Sequence, residues 1–495
     1  MSLLDALKAA TNFTETENGG ITHKTTQSKV LDMFAMGGAY RSRSEKDKIK
    51  LFADAYAEDA TLALKCLFYL RDVRGGQGER EFFRICLHWL AQLYPAVAYR
   101  VMRHVAEFGR YDDLYAYVGT PDEKYMFEYV SDQLVNDLHS EHPSLLAKWL
   151  KSENTSSAKS REMAKKTRLA MKLSPKQYRQ MLSMLRRKID IVERKMSDDK
   201  WKEIKYENVP SKAGILYSDA FLRHDHDRYS EFIGSKETKV HAGALYPYEV
   251  VDKAIDVWRK DPQTTERQAV NKYWQNLTDY FKGKSFNALA MVDTSGSMCG
   301  RPIDVAISLG LYCAERAKGP FQNHYISFSS KPQLIETSGY DFVDKVWQIY
   351  KTNLCENTNI EAAFDLVLDT AVKNHMKQED LPENILVISD MEFDEARSMD
   401  YHFNWYTGRR EFEENDDPET TMDKIMDKWK AAGYEAPHLI YWNVDARQDN
   451  IPSIGEKISF VSGFSPSIFE SLLSGKTGYE LMLEKLLSDR YAPIV

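Results

Sequence analysis

The sequence Asn287-Ala-Leu-Ala-Met-Val-Asp-Thr-Ser-Gly-Ser297 joins a short apolar run to a cluster of oxygen-bearing side chains. A short apolar run bounded by turn residues is typical of a buried strand in a parallel sheet. Asp293, Ser295 and Ser297 follow at alternate positions, and Gly296 lets the backbone bend between the serines. Open α/β sheets bind ligands at the carboxyl ends of their strands, so this spacing predicts a binding site there.

The remainder of the second half alternates short apolar runs with segments of helical periodicity. This alternation predicts a mostly parallel, doubly wound (Rossmann-like) sheet with helices between the strands. The predicted strands cover residues 287–293, 323–328, 384–389, 438–443 and 457–461, and the predicted helices cover residues 302–317, 343–351, 360–374, 420–432 and 478–487.

The first half has apolar residues at steps of three and four, the pattern of amphipathic helices. Short connections between consecutive helices favour an irregular, repeat-like helical array, although no clean repeat period is present. The sequence therefore predicts an α + α/β protein, with a helical domain over residues 1–285 and an α/β domain over residues 286–495. The predicted helices of the first half cover residues 46–57, 61–70, 79–93, 96–108, 122–138, 158–171, 175–188, 246–258 and 265–281.

The side chains after the first predicted strand suit a hard divalent cation. Asp293, Ser295 and Ser297 offer oxygen atoms and neither sulfur nor imidazole, which favours Mg²⁺, or Ca²⁺ or Mn²⁺, over zinc and copper. Asp390 follows the predicted strand 384–389 and would reach the same sheet edge. In the alternative interpretation, the two serines only cap the following helix and Asp390 is simply an acid at a strand end.

The Asp-x-Ser-x-Ser pattern at residues 293–297 resembles the metal-ion-dependent adhesion site of von Willebrand factor A and integrin I domains. The motif of that family also uses a distant threonine and a distant aspartate, and Asp390 matches the aspartate. Thr358 is the best match for the threonine, with Thr352 as the alternative, because the residues before Thr358 are not the glycines that the family often has.

The resemblance implies a role for each member of the site. Ser295, Ser297 and Thr358 would contact the cation directly, and Asp293 and Asp390 would hold it mainly through water. In the family, a glutamate or aspartate of a partner fills the remaining open position of the cation. These expectations favour a non-enzymatic ligand clamp with an acidic protein partner.

The segment 148–205 is strongly basic, with 18 lysine and arginine residues against seven acidic residues. Phosphate contacts need such side chains on a shared face, and unpaired bases stack on aromatic rings, for which Tyr178 and Trp201 are candidates. The segment therefore predicts RNA binding, and the alternative is a solvated helix face. The predicted RNA-contacting residues are Lys165, Lys166, Arg168, Lys172, Lys176, Arg179, Arg186, Arg187 and Lys188.

Several segments of the first half resemble a family of domains of unknown function numbered 2828. The most specific is Arg74-Gly-Gly-Gln-Gly-Glu-Arg80 within residues 67–81, and residues 208–212, 221–225 and 239–249 also match. Members of that family pair a helical N-terminal half with a C-terminal von Willebrand factor A domain. The architecture also resembles that of the Ro autoantigen (TROVE-type) ribonucleoproteins, in which a ring of helical repeats binds RNA and the A domain closes the ring.

Three further segments have two interpretations each. Arg74-Gly-Gly-Gln-Gly-Glu-Arg80 favours a helix–helix turn over an anion-binding nest. His224-Asp225-His226-Asp227 has the residue types of a metal phosphohydrolase, but without further ligands at a suitable spacing it favours a surface turn. The long segment 391–419 would emerge on the metal face, either to complete a partner surface or as a poorly ordered insertion.

Composition argues against a membrane-spanning protein and against a secreted, disulfide-bonded protein. The chain carries a net charge of −8 and has no apolar run long enough for a membrane span. Five scattered cysteines and an N-terminus without the features of a signal peptide favour a cytoplasmic protein. The sequence predicts a non-enzymatic RNA- or ribonucleoprotein-binding scaffold with a Mg²⁺-dependent A domain. The alternative is a protein–protein interaction module that clamps a partner carboxylate without RNA.

Overall fold

The computed structural model describes residues 11–328, 331–352, 359–394, 401–404, 409–412, 419–472 and 475–495. The chain forms two compact units. The unit that we call the sheet unit comprises Met1–Arg43 and Asp279–Glu484, and the helical unit comprises Ser44–Thr278 and Lys485–Val495.

Each unit draws on two separate stretches of the chain, which differs from the predicted division into residues 1–285 and 286–495. The described residues 11–43 belong to the sheet unit, and Lys485–Val495 belong to the helical unit. Hydrophobic periodicity identifies the type of an element but not the core that the element joins. The sequence pattern therefore does not indicate that each terminal segment packs in the unit formed mainly by the other half of the chain. We call this arrangement the exchange of terminal segments.

The helical unit contains the amphipathic helices that the sequence predicts. Most of them begin and end within two residues of the predicted bounds, whereas the predicted helix 96–108 is interrupted by a 3₁₀ turn at Met102–His104. Its helices are α2 (Glu45–Glu58), α3 (Ala60–Arg71), α4 (Arg80–Leu93), α5 (Pro95–Val101), α6 (Val105–Phe108), α7 (Glu123–His139), α8 (Leu146–Trp149), α9 (Ala158–Ala170), α10 (Pro175–Lys188), α11 (Val192–Ser197), α12 (Ser211–Leu216), α13 (Ser218–His224), α14 (His226–Gly234), α15 (Pro247–Val257) and α16 (Thr265–Gln275).

The glycine-rich segment after α3 is a helix–helix turn, as predicted. The backbone N–H groups of Gln77 and Gly78 donate to the carbonyl oxygens of Tyr69 and Asp72, at 3.2 and 3.1 Å. The N–H of Glu79 donates to Leu70 at 2.7 Å. These donors already have partners inside the turn, which argues against the alternative of an anion-binding nest.

Replacing Gly76 with alanine should destabilise the helical unit. A Cβ atom at this position would lie 1.8 Å from the carbonyl oxygen of Tyr69, so the backbone of the turn must move. We expect a loss of about 3 kcal/mol in the free energy of unfolding, measured by urea denaturation. Gly234→Ala is the matched control, because nothing lies within 4 Å of its added Cβ. Equal effects of the two substitutions would contradict the packing of this turn.

The C-terminal residues complete the core of the helical unit. The Arg490 side chain pairs with Asp72, and the Tyr491 hydroxyl donates to the same carboxylate at 3.0 Å. The ring of Tyr491 stacks on Phe108 with a centroid distance of 5.5 Å. Tyr491 is 1% exposed, so it acts as a core residue of this unit.

The sheet unit contains a six-stranded sheet and two short antiparallel strand pairs. The strands of the sheet are β3 (Ala288–Asp293), β4 (His324–Phe328), β5 (Gln333–Glu336), β6 (Asn384–Ser389), β9 (His438–Asn443) and β10 (Ile458–Ser462), and the two pairs are formed by β1 (Phe13–Glu15) with β2 (Ile21–His23) and by β7 (Tyr401–Asn404) with β8 (Arg409–Phe412). The order of the six strands in the sheet is β10-β9-β6-β3-β4-β5. All neighbouring strands pair in parallel except β4 and β5, which are antiparallel. The sequence predicts five of these strands and misses β5, an edge strand with largely exposed residues.

Helices of the sheet unit connect the parallel strands, as the predicted alternation requires. The longest, Arg301–Arg316, follows β3 after the 3₁₀ turn Gly296–Met298 and is buried along most of its length. The α + α/β class is confirmed, with a helical first half and a mixed six-stranded sheet in the second half. The helices are α1 (Lys29–Met36), α17 (Arg301–Arg316), α18 (Phe342–Thr352), α19 (Ile360–Lys373), α20 (Thr421–Ala431), α21 (Phe469–Leu472) and α22 (Gly478–Leu486), the last ending at the start of the C-terminal tail.

Candidate metal centre

The two aspartates of the predicted site lie side by side at the carboxyl edge of the sheet. Strand β3 ends at Asp293, and Asp390 follows the last residue of the neighbouring strand β6. Val292 pairs with Ile388 in parallel register, which brings the two strand ends level. Strands β4 and β5 lie on one side of β3 and the later parallel strands on the other, so this edge is the topological switch point of the sheet.

Hydrogen bonds connect the predicted ligands with each other. The Asp293 carboxylate accepts from the backbone N–H of Ser295 at 2.9 Å, and the hydroxyls of Ser295 and Ser297 are 3.0 Å apart. Arg447 joins Ser297 to Asp390, because its Nη2 donates to the Ser297 carbonyl oxygen and lies 3.2 Å from Asp390 Oδ2. The structure therefore brings four of the five predicted ligands into one cluster.

Ser389, which the sequence analysis did not single out, links the two carboxylates. Its hydroxyl lies 2.5 Å from Asp293 Oδ2 and 3.4 Å from Asp390 Oδ1. The hydroxyl also accepts from the backbone N–H of Met391 at 3.0 Å. Because Ser389 is the last residue of β6, its position next to Asp293 follows from the strand register, which the sequence alone does not give.

The cluster concentrates negative charge in a buried place. Asp293 is fully buried and Asp390 is 1% exposed. Burial, followed by the charge of Asp390, raises the pKa of Asp293 to about 7. Burial also raises the pKa of Asp390, against the lowering effects of the nearby Ser297 hydroxyl, of the hydrogen bond from the Glu392 backbone N–H and of the charge of Arg447. Because burial makes the ionised form of both carboxyl groups unfavourable in free energy, a cation bound between or beside them would stabilise them.

The residues fit a hard cation better than they fit the alternative of a helix cap. Helix α17 begins after Gly300, and no side chain caps it, so Ser295 and Ser297 do not have that role. Two carboxylates and two hydroxyls form a donor set of oxygen atoms, which suits Mg²⁺, Ca²⁺ or Mn²⁺. Among the described residues, no group of three or more His, Cys, Asp or Glu side chains is arranged for a metal ion, so a cation at this place would need the serine hydroxyls as well as the two carboxylates.

Two predictions about the site fall on residues that the structure does not describe. Thr358 lies outside the described residues, and of the alternative, Thr352, only the backbone at the end of α18 is described. The segment 391–419 is described only in part. It begins with three buried residues, Met391, Glu392 and Phe393, and it includes the β7–β8 hairpin.

Arg447 lies at the edge of the cluster and was also missed from the sequence. Its Nη2 is 3.2 Å from Asp390 Oδ2 and also donates to the carbonyl oxygen of Ser297. Its Nη1 donates to the Glu17 carboxylate at 2.8 Å. Arg447 belongs to the loop after β9, a parallel strand beside β6, so its place at the carboxyl edge follows from the order of the sheet.

The N-terminal hairpin packs next to the candidate ligands. The Thr16 hydroxyl donates to the Phe393 carbonyl at 2.6 Å, and the Asn18 amide donates to the Glu392 carbonyl at 2.6 Å. The Glu392 carboxylate accepts from the backbone N–H of Glu17 at 2.8 Å. These contacts fix the chain immediately after Asp390, and no sequence pattern in residues 11–23 indicated them.

The predicted RNA-contacting residues divide into two groups. Arg186 donates to the carbonyl oxygens of Ala147 and Leu150, Arg168 pairs with Glu153, and Lys188 donates to the Leu138 carbonyl. These three side chains stabilise the helical unit itself. The side chains of the other six form no hydrogen bond or ion pair with the described residues, and all are exposed apart from the half-buried Lys166: they are Lys165, Lys166, Lys172, Lys176, Arg179 and Arg187.

The two aromatic residues proposed for base stacking are not available in this conformation. Tyr178 is fully buried, and its hydroxyl donates to the Lys151 carbonyl at 2.8 Å. Trp201 is 9% exposed and stacks on His224 with ring centroids 4.2 Å apart. Helical periodicity predicted the basic face of α10 but not that Tyr178 lies on the opposite, buried face.

The His224–Asp227 segment has structural contacts rather than a metal cluster in the described part of the chain. Asp225 accepts hydrogen bonds from the Tyr206 hydroxyl at 2.8 Å and from Arg228 at 2.7 Å. His226 and Asp227 are exposed. These contacts agree with the predicted surface turn.

No helix among the described residues combines the length and the apolar character that crossing a membrane requires.

Comparison with known proteins gives two family matches and a similar viral protein. The family described as Domain of unknown function (DUF7788) matches residues 287–487, which include the candidate metal centre. The chain is 27% identical over 515 residues to "Uncharacterized protein L728" of Acanthamoeba polyphaga mimivirus, an alignment that covers 94% of this chain and 85% of that protein. Residues 16–114 and 132–285, just over half of the chain, match a second family, and the chain therefore belongs to the family described as Domain of unknown function (DUF2828).

Proposed function

We propose that the chain is a non-enzymatic binding scaffold whose sheet unit is a von Willebrand factor A-type domain with a Mg²⁺-dependent ligand site. Asp293, Ser295, Ser297 and Asp390 would hold the cation, and a carboxylate of an acidic protein partner would complete its coordination. The cation supplies the positive charge that attracts the carboxylate. The protein's own residues place that charge at the open edge of the sheet.

The convergence of the two aspartates and two serines at the switch point carries this proposal. The two strand ends, 96 positions apart in sequence at Asp293 and Ser389, form one hydrogen-bonded group that includes the serines and Asp390. Burial disfavours ionised carboxylates unless a cation offsets their charge. The same residue types in the same order form the adhesion site of von Willebrand factor A domains, which this chain resembles.

A titration with Mn²⁺, followed by electron paramagnetic resonance, tests the cation site. The full-length chain should bind Mn²⁺ and release it to excess Mg²⁺. Replacing Ser295 and Ser297 together with alanine should weaken binding by at least about tenfold, because two ligand oxygens are lost. Ser308→Ala is the matched control, since the hydroxyl of this buried serine donates only to the Val305 carbonyl. Unchanged Mn²⁺ affinity in the double variant would rule out this site.

An array of short peptides with different acidic content tests the ligand class. The Mg²⁺-loaded chain should be retained by peptides that carry aspartate or glutamate and should be released by EDTA. Peptides in which the acids are replaced by their amides should not retain it. If EDTA does not release the chain from acidic peptides, peptide binding does not depend on the cation, and this part of the proposal is wrong.

RNA binding by the helical unit is a second candidate function, and one observation favours it. Lys176, Arg179 and Arg187 lie at positions i, i+3 and i+11 of α10, so they share one exposed face. None of them is paired with an acid of the described residues, which leaves their charges available to phosphate groups. The protein would then be the RNA- or ribonucleoprotein-binding scaffold that the resemblance to Ro proteins implies.

Replacing these three residues with glutamine should weaken the binding of single-stranded RNA. Each lost phosphate contact should lower the salt dependence of the affinity, with a slope change of about 0.7 per contact. Filter binding of nuclease-treated protein between about 50 and about 200 mM salt measures this. Absent or salt-insensitive binding by the wild-type chain would leave the metal-dependent interaction module as the function.

A further inference from the structure

A cluster of charged side chains within the helical unit gathers four cationic groups around two aspartates. Asp112 and Asp113 lie in the first turn of the 3₁₀ helix Tyr111–Tyr117 and are 4% and 0% exposed. The four cations are Arg71, Arg84, Arg110 and Lys151. We call these six side chains the arginine cluster.

Asp113 has a structural role in the arginine cluster. Arg71, only 2% exposed, approaches it with Nε at 2.8 Å and Nη2 at 2.7 Å. Arg84 Nε lies 2.6 Å from its other oxygen. The backbone N–H of Arg110 also donates to it, at 2.9 Å. This carboxylate is therefore fully committed to holding the helices together.

The carboxylate of Asp112 forms ion pairs with three side chains, and each of the three is partly exposed to solvent. Arg84 Nη2 lies at 2.9 Å, Arg110 Nε at 3.0 Å and Lys151 Nζ at 3.4 Å from its carboxylate. The side chains of Arg84, Arg110 and Lys151 are 31%, 27% and 33% exposed. One carboxylate cannot use all the donors of two guanidinium groups and an ammonium group, so donors remain for another anion.

The arginine cluster has an excess of positive charge. Four cations face two carboxylates, so its formal charge is +2. Exposed Arg80 adds to this field, because burial, and then the charges of Arg80 and Arg84, lower the pKa of Arg110 against the pull of Asp112. An anion at this place would reduce the repulsion among these cationic groups.

An aromatic ring borders the arginine cluster. The Arg110 guanidinium lies 4.0 Å from the centroid of the Trp149 ring, and Lys148 Nζ lies 5.8 Å from it. Arg186 holds the same segment by donating to the carbonyl oxygens of Ala147 and Leu150, at 2.8 and 2.9 Å. The segment that carries Lys151 is therefore fixed in place, and little ordering of the backbone would be needed on binding.

We propose that Arg84, Arg110 and Lys151 form a binding site for a backbone phosphate of single-stranded RNA. A guanidinium group offers paired donors that match phosphate oxygens, and the lysine adds a point charge. The excess positive charge favours a phosphate over a neutral ligand. This inference rests on the second candidate function, RNA binding by the helical unit, and adds to it a site outside the exposed face of α10.

The test uses the full-length chain and a fluorescein-labelled single-stranded oligouridylate, with affinity measured by fluorescence anisotropy at several salt concentrations. The double variant Arg80→Gln/Lys151→Gln removes two charges but leaves Arg84 and Arg110 on Asp112, so the fold should be kept. We expect about tenfold weaker binding and a salt slope reduced by about one. Lys124→Gln is the matched control, because Lys124 is 78% exposed and has only a loose ion pair with Glu128, at 3.7 Å.

A second variant keeps the charge and changes the geometry. Arg110→Lys should also weaken binding, because an ammonium group cannot present the paired donors of a guanidinium group. Thermal melting of each variant checks that a loss of binding is not a loss of fold.

Three outcomes distinguish the phosphate site from RNA binding elsewhere on the helical unit and from the absence of RNA binding. Weaker binding by both variants, with the control unchanged, supports the site. Normal binding by both variants, with binding lost when the α10 residues are replaced, overturns the site and leaves RNA binding intact. Absence of RNA binding by the wild-type chain at low salt overturns the RNA candidate and this site with it, while the Mn²⁺ titration still judges the metal centre.

Discussion

Asp293→Asn should make the metal-free chain more stable at pH 8 and should remove its response to Mg²⁺. Burial and the charge of Asp390 raise the pKa of Asp293 to about 7, well above the ordinary value of a carboxyl group in an unfolded chain. The folded state therefore favours the protonated acid. Asparagine has the same shape, still accepts from the Ser295 N–H, and carries no charge that must be buried.

The pH dependence of the wild-type chain follows from the same shift. A group whose pKa is raised by folding stabilises the fold below the unfolded pKa, and this contribution is lost as the pH rises through the folded value. Without divalent cations, the free energy of unfolding should fall between about pH 4 and about pH 7. Mg²⁺ at about one hundred times its dissociation constant should then restore about 2.7 kcal/mol at pH 8.

Thermal denaturation of the wild-type chain and of Asp293→Asn, with Mg²⁺ or with EDTA, measures both effects. Asp369→Asn serves as the control, because Asp369 is an exposed acid on α19 and should leave the pH and Mg²⁺ responses unchanged. A wild-type melting temperature that ignores Mg²⁺ at pH 8 would contradict the cation site. A less stable Asp293→Asn variant in EDTA would show that the carboxylate is not costly in the fold.

Arg71→Met should destabilise the helical unit more than any single substitution on its surface. The Arg71–Asp113 pair is almost completely buried, with side chains 2% and 0% exposed and N–O distances of 2.7 and 2.8 Å. Removing one partner leaves a buried charge with less compensation, for which a loss of about 3 to 5 kcal/mol is typical. Urea denaturation of the full-length chain measures the loss.

Two further variants test whether the loss comes from the buried ion pair. The double variant Arg71→Met/Asp113→Asn should recover part of the loss, because the unpaired buried charge is gone. Lys124→Met, which breaks the exposed pair of Lys124 and Glu128, should cost less than about 1 kcal/mol. A loss in Arg71→Met no larger than in Lys124→Met would mean that Asp113 is held well enough by Arg84 alone.

The pattern of apolar residues predicted most of the fold, because it is a local property of each element. The sequence predicts β6 and β9 at their observed bounds and α10 over residues 175–188. It also predicts that Asp293 and Asp390 share one sheet edge, since both follow parallel strands. The family 2828 resemblance is confirmed, whereas the von Willebrand factor A and Ro likenesses stay predictions.

The parts that the sequence missed depend on contacts between distant segments. Ser389 bridges the aspartates because of strand register, and Arg447 reaches them because β9 lies beside β6. Glu17 joins this region from the opposite end of the chain. Tyr178 lies on the buried side of a basic helix, so the sequence assigned it a role in stacking that its packing does not allow.

The exchange of terminal segments sets an order on synthesis at the ribosome. Residues 11–43 are synthesised well before the sheet that they pack against, because the helical stretch Ser44–Thr278 lies between them in sequence and β10 ends only at Ser462. In the same way, the helical unit lacks Arg490 and Tyr491 until the second stretch of the sheet unit has been synthesised. Each unit can therefore complete its core only after a stretch that belongs to the other unit has been made, which raises the contact order of both units and is expected to slow their folding.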